Sequence, residues 1–88
     1  MMTGSQLRAA RALLSLDRSS LAELAGLSLP TIQRMESAEG VVGGNVESLM
    51  RVIEALKSAG IELIGEDQVS QGGGRGVRLI SSRKRPDQ

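Results

Sequence analysis

The sequence predicts a mainly α-helical fold, four short amphipathic helices followed by a C-terminal β-hairpin. Three observations carry this expectation. Apolar residues recur at helical spacing in four stretches between residues 5 and 58. Residues of helix-capping type, Thr3 or Ser5, then Asp17, Ser28 and Asn45, stand just ahead of those stretches. After Gly60 the pattern changes to two short runs rich in β-branched residues, Ile61–Ile64 and Gly76–Ile80.

The first helix is expected over about Ser5–Ser15, after a frayed Met1–Gly4. Leu7, Ala10, Arg11 and Leu14 are spaced i, i+3, i+4, i+7, an inward stripe with one charge embedded; Arg8 and Ala12 lie outside. The second helix is expected over Arg18–Ala25. Asp17 caps it, Leu16 and Leu21 stand where a hydrophobic staple forms, and Leu21, Leu24 and Ala25 share a face beside small Ala22. Gly26 can take the left-handed conformation that ends a helix.

Ser28 then caps a third helix, Leu29–Ala38, with Ile32, Met35 and Glu36 inward. Pro30 is tolerated in a first turn but disfavours helical dihedrals at Leu29, so the helix begins at Leu29 or at Pro30. A glycine-rich loop leads to Asn45 and a fourth helix, Val46–Ser58, whose inward face reads Val46, Leu49, Met50, Ile53 and Leu56. Arg51 and Lys57 lie outside, and Gly60 is the stop.

Three regions follow: a helical domain over residues 1–60, a hairpin over 61–80 that is a candidate dimerisation element, and a disordered basic tail over 81–88. Two strands alone are marginal in water, so the hairpin must pack on the helices or pair with another subunit. The triple glycine at 72–74 lacks the strand and helix that flank a phosphate loop.

Composition narrows the function classes. A chain of 88 residues buries roughly 60–65% of its unfolded surface, and here without any Phe, Trp or Tyr. Such a core gains from a partner subunit. With no Cys and no His, disulfides, thiolate metal sites and histidine acid–base chemistry are excluded. No nucleophile–base pair or carboxylate dyad stands out, so neither enzyme activity nor a cofactor is expected. No run is apolar enough for a membrane span or a signal peptide, and a soluble cytoplasmic protein is expected.

The formal net charge of +1 is unevenly spread. Residues 1–71 carry six Lys/Arg against nine Asp/Glu, a net of −3, whereas residues 72–88 carry five against one, a net of +4. The helical domain is therefore not basic overall, and nucleic-acid binding has to be argued from individual side chains.

A helix, a tight turn and a second helix within Asp17–Glu36 is the layout of a DNA-reading helix-turn-helix. With Ile32, Met35 and Glu36 inward, Pro30, Gln33, Arg34 and Ser37 face outward and Thr31 lies on the flank. Gln suits the major-groove edge of adenine and Arg that of guanine; Thr31 can reach a phosphate or a thymine methyl. Arg18 and Ser28, at two helix N-termini, are placed for phosphates. Asn45 either only caps its helix or also presents a phosphate site behind Gly43 and Gly44. Arg83-Lys84-Arg85 either solubilises the chain or adds attraction to a DNA backbone. Arg11 and Glu36, opposite charges on two apolar faces, are expected to form a buried pair rather than to snorkel apart.

The stretch ALLSLDRSSLAELAGLSLPTIQRMES resembles the Cro/phage-repressor-type (XRE-like) helix-turn-helix regulators, and GNVESLMRVIEALKSAG resembles the helix that family places next. Leu21-Ala22, Gly26, Ser28, Ile32 and the Arg11/Glu36 pair occupy the family's positions over about Gln6–Gly60. The ending GIELIGEDQVSQGGGRGVRLI resembles a segment of compact alphaproteobacterial members. The resemblance implies a four-helix repressor-like fold, binding of double-stranded DNA by a homodimer at a near-palindromic site, and control of transcription. It also implies base-facing roles for Leu29, Pro30, Gln33 and Arg34. Leu29 and Pro30 replace polar readers, which leaves few base-specific hydrogen bonds. A competing expectation keeps the fold but gives it a protein partner, as in an antiactivator or antitoxin. The acidic first 71 residues and apolar Leu29-Pro30 favour that alternative.

Overall fold

The computed structural model describes residues 2–80, and the tail expected over 81–88 lies outside the described residues. The chain forms four helices: α1 (Gly4–Leu13), α2 (Arg18–Ala25), α3 (Leu29–Glu36) and α4 (Val46–Ser58). α2 and α4 have the expected bounds. α1 starts at Gly4 because Thr3, not Ser5, is its cap: Thr3 Oγ1 accepts from the Gln6 amide at 3.1 Å while Gln6 Oε1 accepts from the Thr3 amide at 2.9 Å. It ends before Ser15, which stands at φ 55° and lets the Leu16 amide reach back to the Arg11 carbonyl at 3.1 Å. α3 begins at Leu29 with Pro30 inside its first turn, and ends at Glu36, two residues short of the expected Ala38.

Local chemistry sets the turn between α2 and α3. Asp17 Oδ1 accepts from the Ser20 amide at 2.7 Å. Gly26, at φ 69° and ψ 34°, lets the Leu27 amide bond the Ala22 carbonyl at 2.9 Å, and Ser28 Oγ then caps α3 through the Thr31 amide at 3.3 Å.

The core is a single cluster in which Leu7, Leu21, Ile32, Met35, Val52 and Leu56 are sealed from water, joined by Met2, Ala10, Ala22, Ala25, Val42 and Leu49. Two expected faces are corrected. α2 turns Leu21, Ala22 and Ala25 inward, where two small residues let neighbouring helices approach, and leaves Leu24 57% exposed. α4 buries Leu49, Val52 and Leu56; Ile53 is half-buried, and Val46 and Met50 face out. The apolar arc of α4 is wider than the surface offered to it, so periodicity locates the arc but not which of its edges is covered.

The start of the chain is anchored rather than frayed from residue 2 onward. Met2 is 1% exposed, its carbonyl accepts from the Val42 amide at 2.8 Å, and Thr3 and Val41 form an antiparallel bridge. This contact also ties down the glycine-rich loop. Gly4 is required at the junction: a Cβ there would strike the Ala38 carbonyl oxygen and lie 3.0 Å from that of Glu36, where α1 meets the end of α3.

The expected hairpin is not formed. Residues 61–64 and 76–80 make no ladder, and the described residues contain no strand. Ile61 and Leu63 pack against the core cluster, whereas Val77, Leu79 and Ile80 stay exposed. Glu62 instead collects donors from its own loop, Ser70 Oγ at 2.7 Å and the Gln71 amide at 3.1 Å. A lone two-stranded ribbon gains too little burial to displace such local bonds. No helix among the described residues is long and apolar enough to cross a membrane.

Candidate nucleic-acid interface

α3 is held by Ile32, Met35 and Glu36, all buried. That anchoring turns Pro30, Gln33, Arg34 and Ser37 fully outward, leaves Leu29 36% exposed and sets Thr31 on the flank. The outward side of α3 is thus the side read from the sequence.

Behind it, Glu36 is 2% exposed and engaged by two arginines. Arg11 binds it in a fork, Nε to Oε2 at 2.7 Å and Nη2 to Oε1 at 3.2 Å, and Arg18 Nε adds a bond to Oε1 at 2.9 Å. Arg11 also donates to the Leu16 carbonyl at 3.2 Å, which fastens the α1–α2 junction to the same cluster. Burial pushes the Glu36 carboxyl up, but bonds from Arg11 and Arg18 outweigh it and hold the carboxyl below its ordinary range. The Arg11 guanidinium is raised by its bond to Glu36.

The pair was legible, but its third member was not. Arg18, expected to reach for phosphate, is committed through Nε to Glu36, with its side chain 47% exposed. Its remaining face joins an open depression of about 470 Å³, lined by Arg11, Asp17, Arg18, Ser19, Leu29 and Gln33. This concavity connects the α2 N-terminus to the outward side of α3. Asp17, also on it, is held low by hydrogen bonds from Ser20.

Ser28 caps α3, and its hydroxyl also lies 2.9 Å from Thr31 Oγ1, so both groups sit at the same helix end. Arg34 lies toward the glycine loop: a Cβ on Gly44, which stands at φ 94°, would be 3.2 Å from Arg34 Nη1. Asn45 follows directly, its Oδ1 accepting from the amides of Glu47 at 2.8 Å and Ser48 at 3.3 Å. The fold therefore brings Arg34, Gly44 and Asn45 together, whereas Ser28 caps the N-terminal end of α3 and Arg18 is bonded to Glu36.

Two further arginines brace this surface and were not read from the sequence. Arg8 donates to the Glu36 carbonyl and, at 3.0 Å, to Ser5 Oγ, so it satisfies the end of α3. Arg51 pairs with Glu47 at 3.2 Å and reaches the Gly26 carbonyl at 3.4 Å, tying α4 to the α2–α3 turn. Nothing local marks the reach of Arg8 to α3, whereas the i, i+4 spacing of Glu47 and Arg51 was a readable signal for that pair. No family model matches the chain, and no curated protein does either.

Proposed function

We propose that the protein is a sequence-specific DNA-binding regulator of transcription, of the Cro/phage-repressor-like helix-turn-helix kind, acting in the cytoplasm as a homodimer. One observation carries the reading: Gln33 and Arg34 stand exposed on a helix whose other side is locked into the core by Ile32, Met35 and Glu36. A guanidinium and a carboxamide on adjacent, rigidly based positions can hydrogen-bond guanine and adenine edges in a major groove. Thr31 and apolar Leu29 and Pro30 suit thymine methyls, while Arg18, Ser28 and the Gly44-Asn45 turn suit phosphates on either side. Two copies would place their α3 helices roughly 34 Å apart in successive major grooves.

Leu24 and Leu29, 57% and 36% exposed, support the second reading, a protein-binding module on the same scaffold. Selection of bound fragments from random DNA by the full chain separates the two. Enrichment of a near-palindrome with half-sites one helical turn apart is expected; retention of no preferred sequence would reject the DNA reading.

A further inference from the structure

We infer that two copies of the chain join by strand exchange, residues 76–80 of each lying antiparallel beside residues 61–64 of the other, over a groove along α4. The inference deepens the dimeric reading above and rests on it for the presence of two copies, not for the DNA contact.

The surface offers two halves that fit each other. Ile53 and Lys57 of α4, with Ile61, Glu62 and Leu63, line an open groove of about 410 Å³. Ile61 and Leu63 are half-buried against the core with exposed Glu62 between them, and Ile64 after them is half-buried as well. Elsewhere Val77 and Leu79, on either side of Arg78, are 80% and 75% exposed, two apolar side chains at strand spacing on the surface. Ile80 beyond them, 90% exposed, falls on the Arg78 side. Among the described residues the backbone amides of 62–64 and 77–80 have no acceptor, while the Ile64 carbonyl already accepts from Gln6 Nε2 at 2.9 Å. The edges therefore stay open along 61–63 and 77–80.

Charge and alternation select one register. With Glu62 opposite Arg78, Ile61 falls opposite Leu79 and Leu63 opposite Val77. All four apolar side chains then share the α4 side, and the single acid of one run faces the single base of the other. A one-residue slip would turn Arg78 into the apolar groove.

Within one chain the two runs stay unpaired. Glu62 accepts from Ser70 at 2.7 Å, Gln71 at 3.1 Å and Gly72 at 3.4 Å, and Arg78 of the same chain donates to the Gly65 carbonyl at 3.1 Å. The bonds to Glu62 fold residues 70–72 onto it, and Arg78 holds its own run near Gly65 without pairing it to 61–64. In the exchanged dimer Arg78 leaves Gly65 for the partner's Glu62. A carboxylate offers about four acceptor positions, which leaves one for an incoming guanidinium.

The test uses the full chain and two single variants, Glu62→Lys and Arg78→Glu, in light-scattering mass measurements over a dilution series. The native chain is expected at twice its 9.3 kDa mass. Each variant alone sets like charges opposite one another at both exchange sites and should weaken dimerisation roughly tenfold or more. In an equimolar mixture, the lysine introduced in one variant meets the glutamate introduced in the other at the first site. Native Glu62 meets native Arg78 at the second, so the dimer should return. A monomeric native chain, indifference to both variants, or no recovery on mixing would overturn the inference; the last outcome would mark an own-chain hairpin or damage to the Glu62 loop. A native chain that dimerises and recovers on mixing as expected, yet enriches no preferred sequence from random DNA, would reject the DNA reading alone.

Discussion

Arg18 Nε lies 2.9 Å from Glu36 Oε1, so the first residue of α2 and the last of α3 are joined through a carboxylate that Arg11 already holds from α1. Three helices thus meet at one buried charge, immediately behind the exposed side of α3. The two arginines differ in consequence. Arg11→Ala removes the fork and should cost about 2–3 kcal/mol in denaturant unfolding, since Arg18 alone then serves the buried carboxylate. Arg18→Ala, at a half-exposed position, should cost about 1 kcal/mol or less, while its loss from the depression weakens DNA affinity measurably.

Acid should act through the same group. Glu36 is held below its ordinary value of 4.5, so its contribution to stability is complete above that pH and is lost as the pH falls through its lower folded-state value. Unfolding measured from pH 7 downward should show a decline beginning near pH 4.5, and Glu36→Gln should flatten that limb. An unchanged acid limb in the variant would place the titrating group elsewhere.

Two backbone positions give opposite predictions. Ser15 stands at φ 55°, a conformation in which a side chain costs about 1 kcal/mol, so Ser15→Gly should raise stability by up to about that amount. Gly4→Ala should lower it by about 1–3 kcal/mol, because the new methyl meets the carbonyls that end α3. Thermal unfolding of the two variants reads both signs.

The anchored start of the chain is open to hydrogen exchange. The Val42 amide, bonded to the Met2 carbonyl at 2.8 Å, should exchange far more slowly than the amides of Gly43 and Gly44. Met2→Ala should erase that difference and cost about 2–3 kcal/mol.

What the sequence made legible were features set within a few residues: the caps at Asp17, Ser28 and Asn45, the left-handed Gly26, and the 3.6-residue stripe of Ile32, Met35 and Glu36. The Arg11–Glu36 pair was also readable, because two opposite charges on apolar faces have few other partners. Long-range choices were not. Arg18 could serve a phosphate or a carboxylate, and only the approach of α3 to α2 decides for Glu36. Val52 and Met50 sit on the same broad apolar arc, and packing on α2 buries one and not the other. Met2 looked like a free end because its partner Val42 lies in a loop with no periodicity. The 61–64 and 76–80 runs have strand composition without a strand, since pairing needs a neighbour that composition cannot supply.

The most direct measurement compares the native chain with the Gln33→Ala/Arg34→Ala double variant on the site enriched from random DNA, each also unfolded in denaturant. Both side chains are exposed, so stability should change by no more than about 0.5 kcal/mol, whereas preference for the enriched site over unrelated DNA should be lost. A double variant that keeps its fold and still prefers that site would contradict the assignment of α3 as the reading surface.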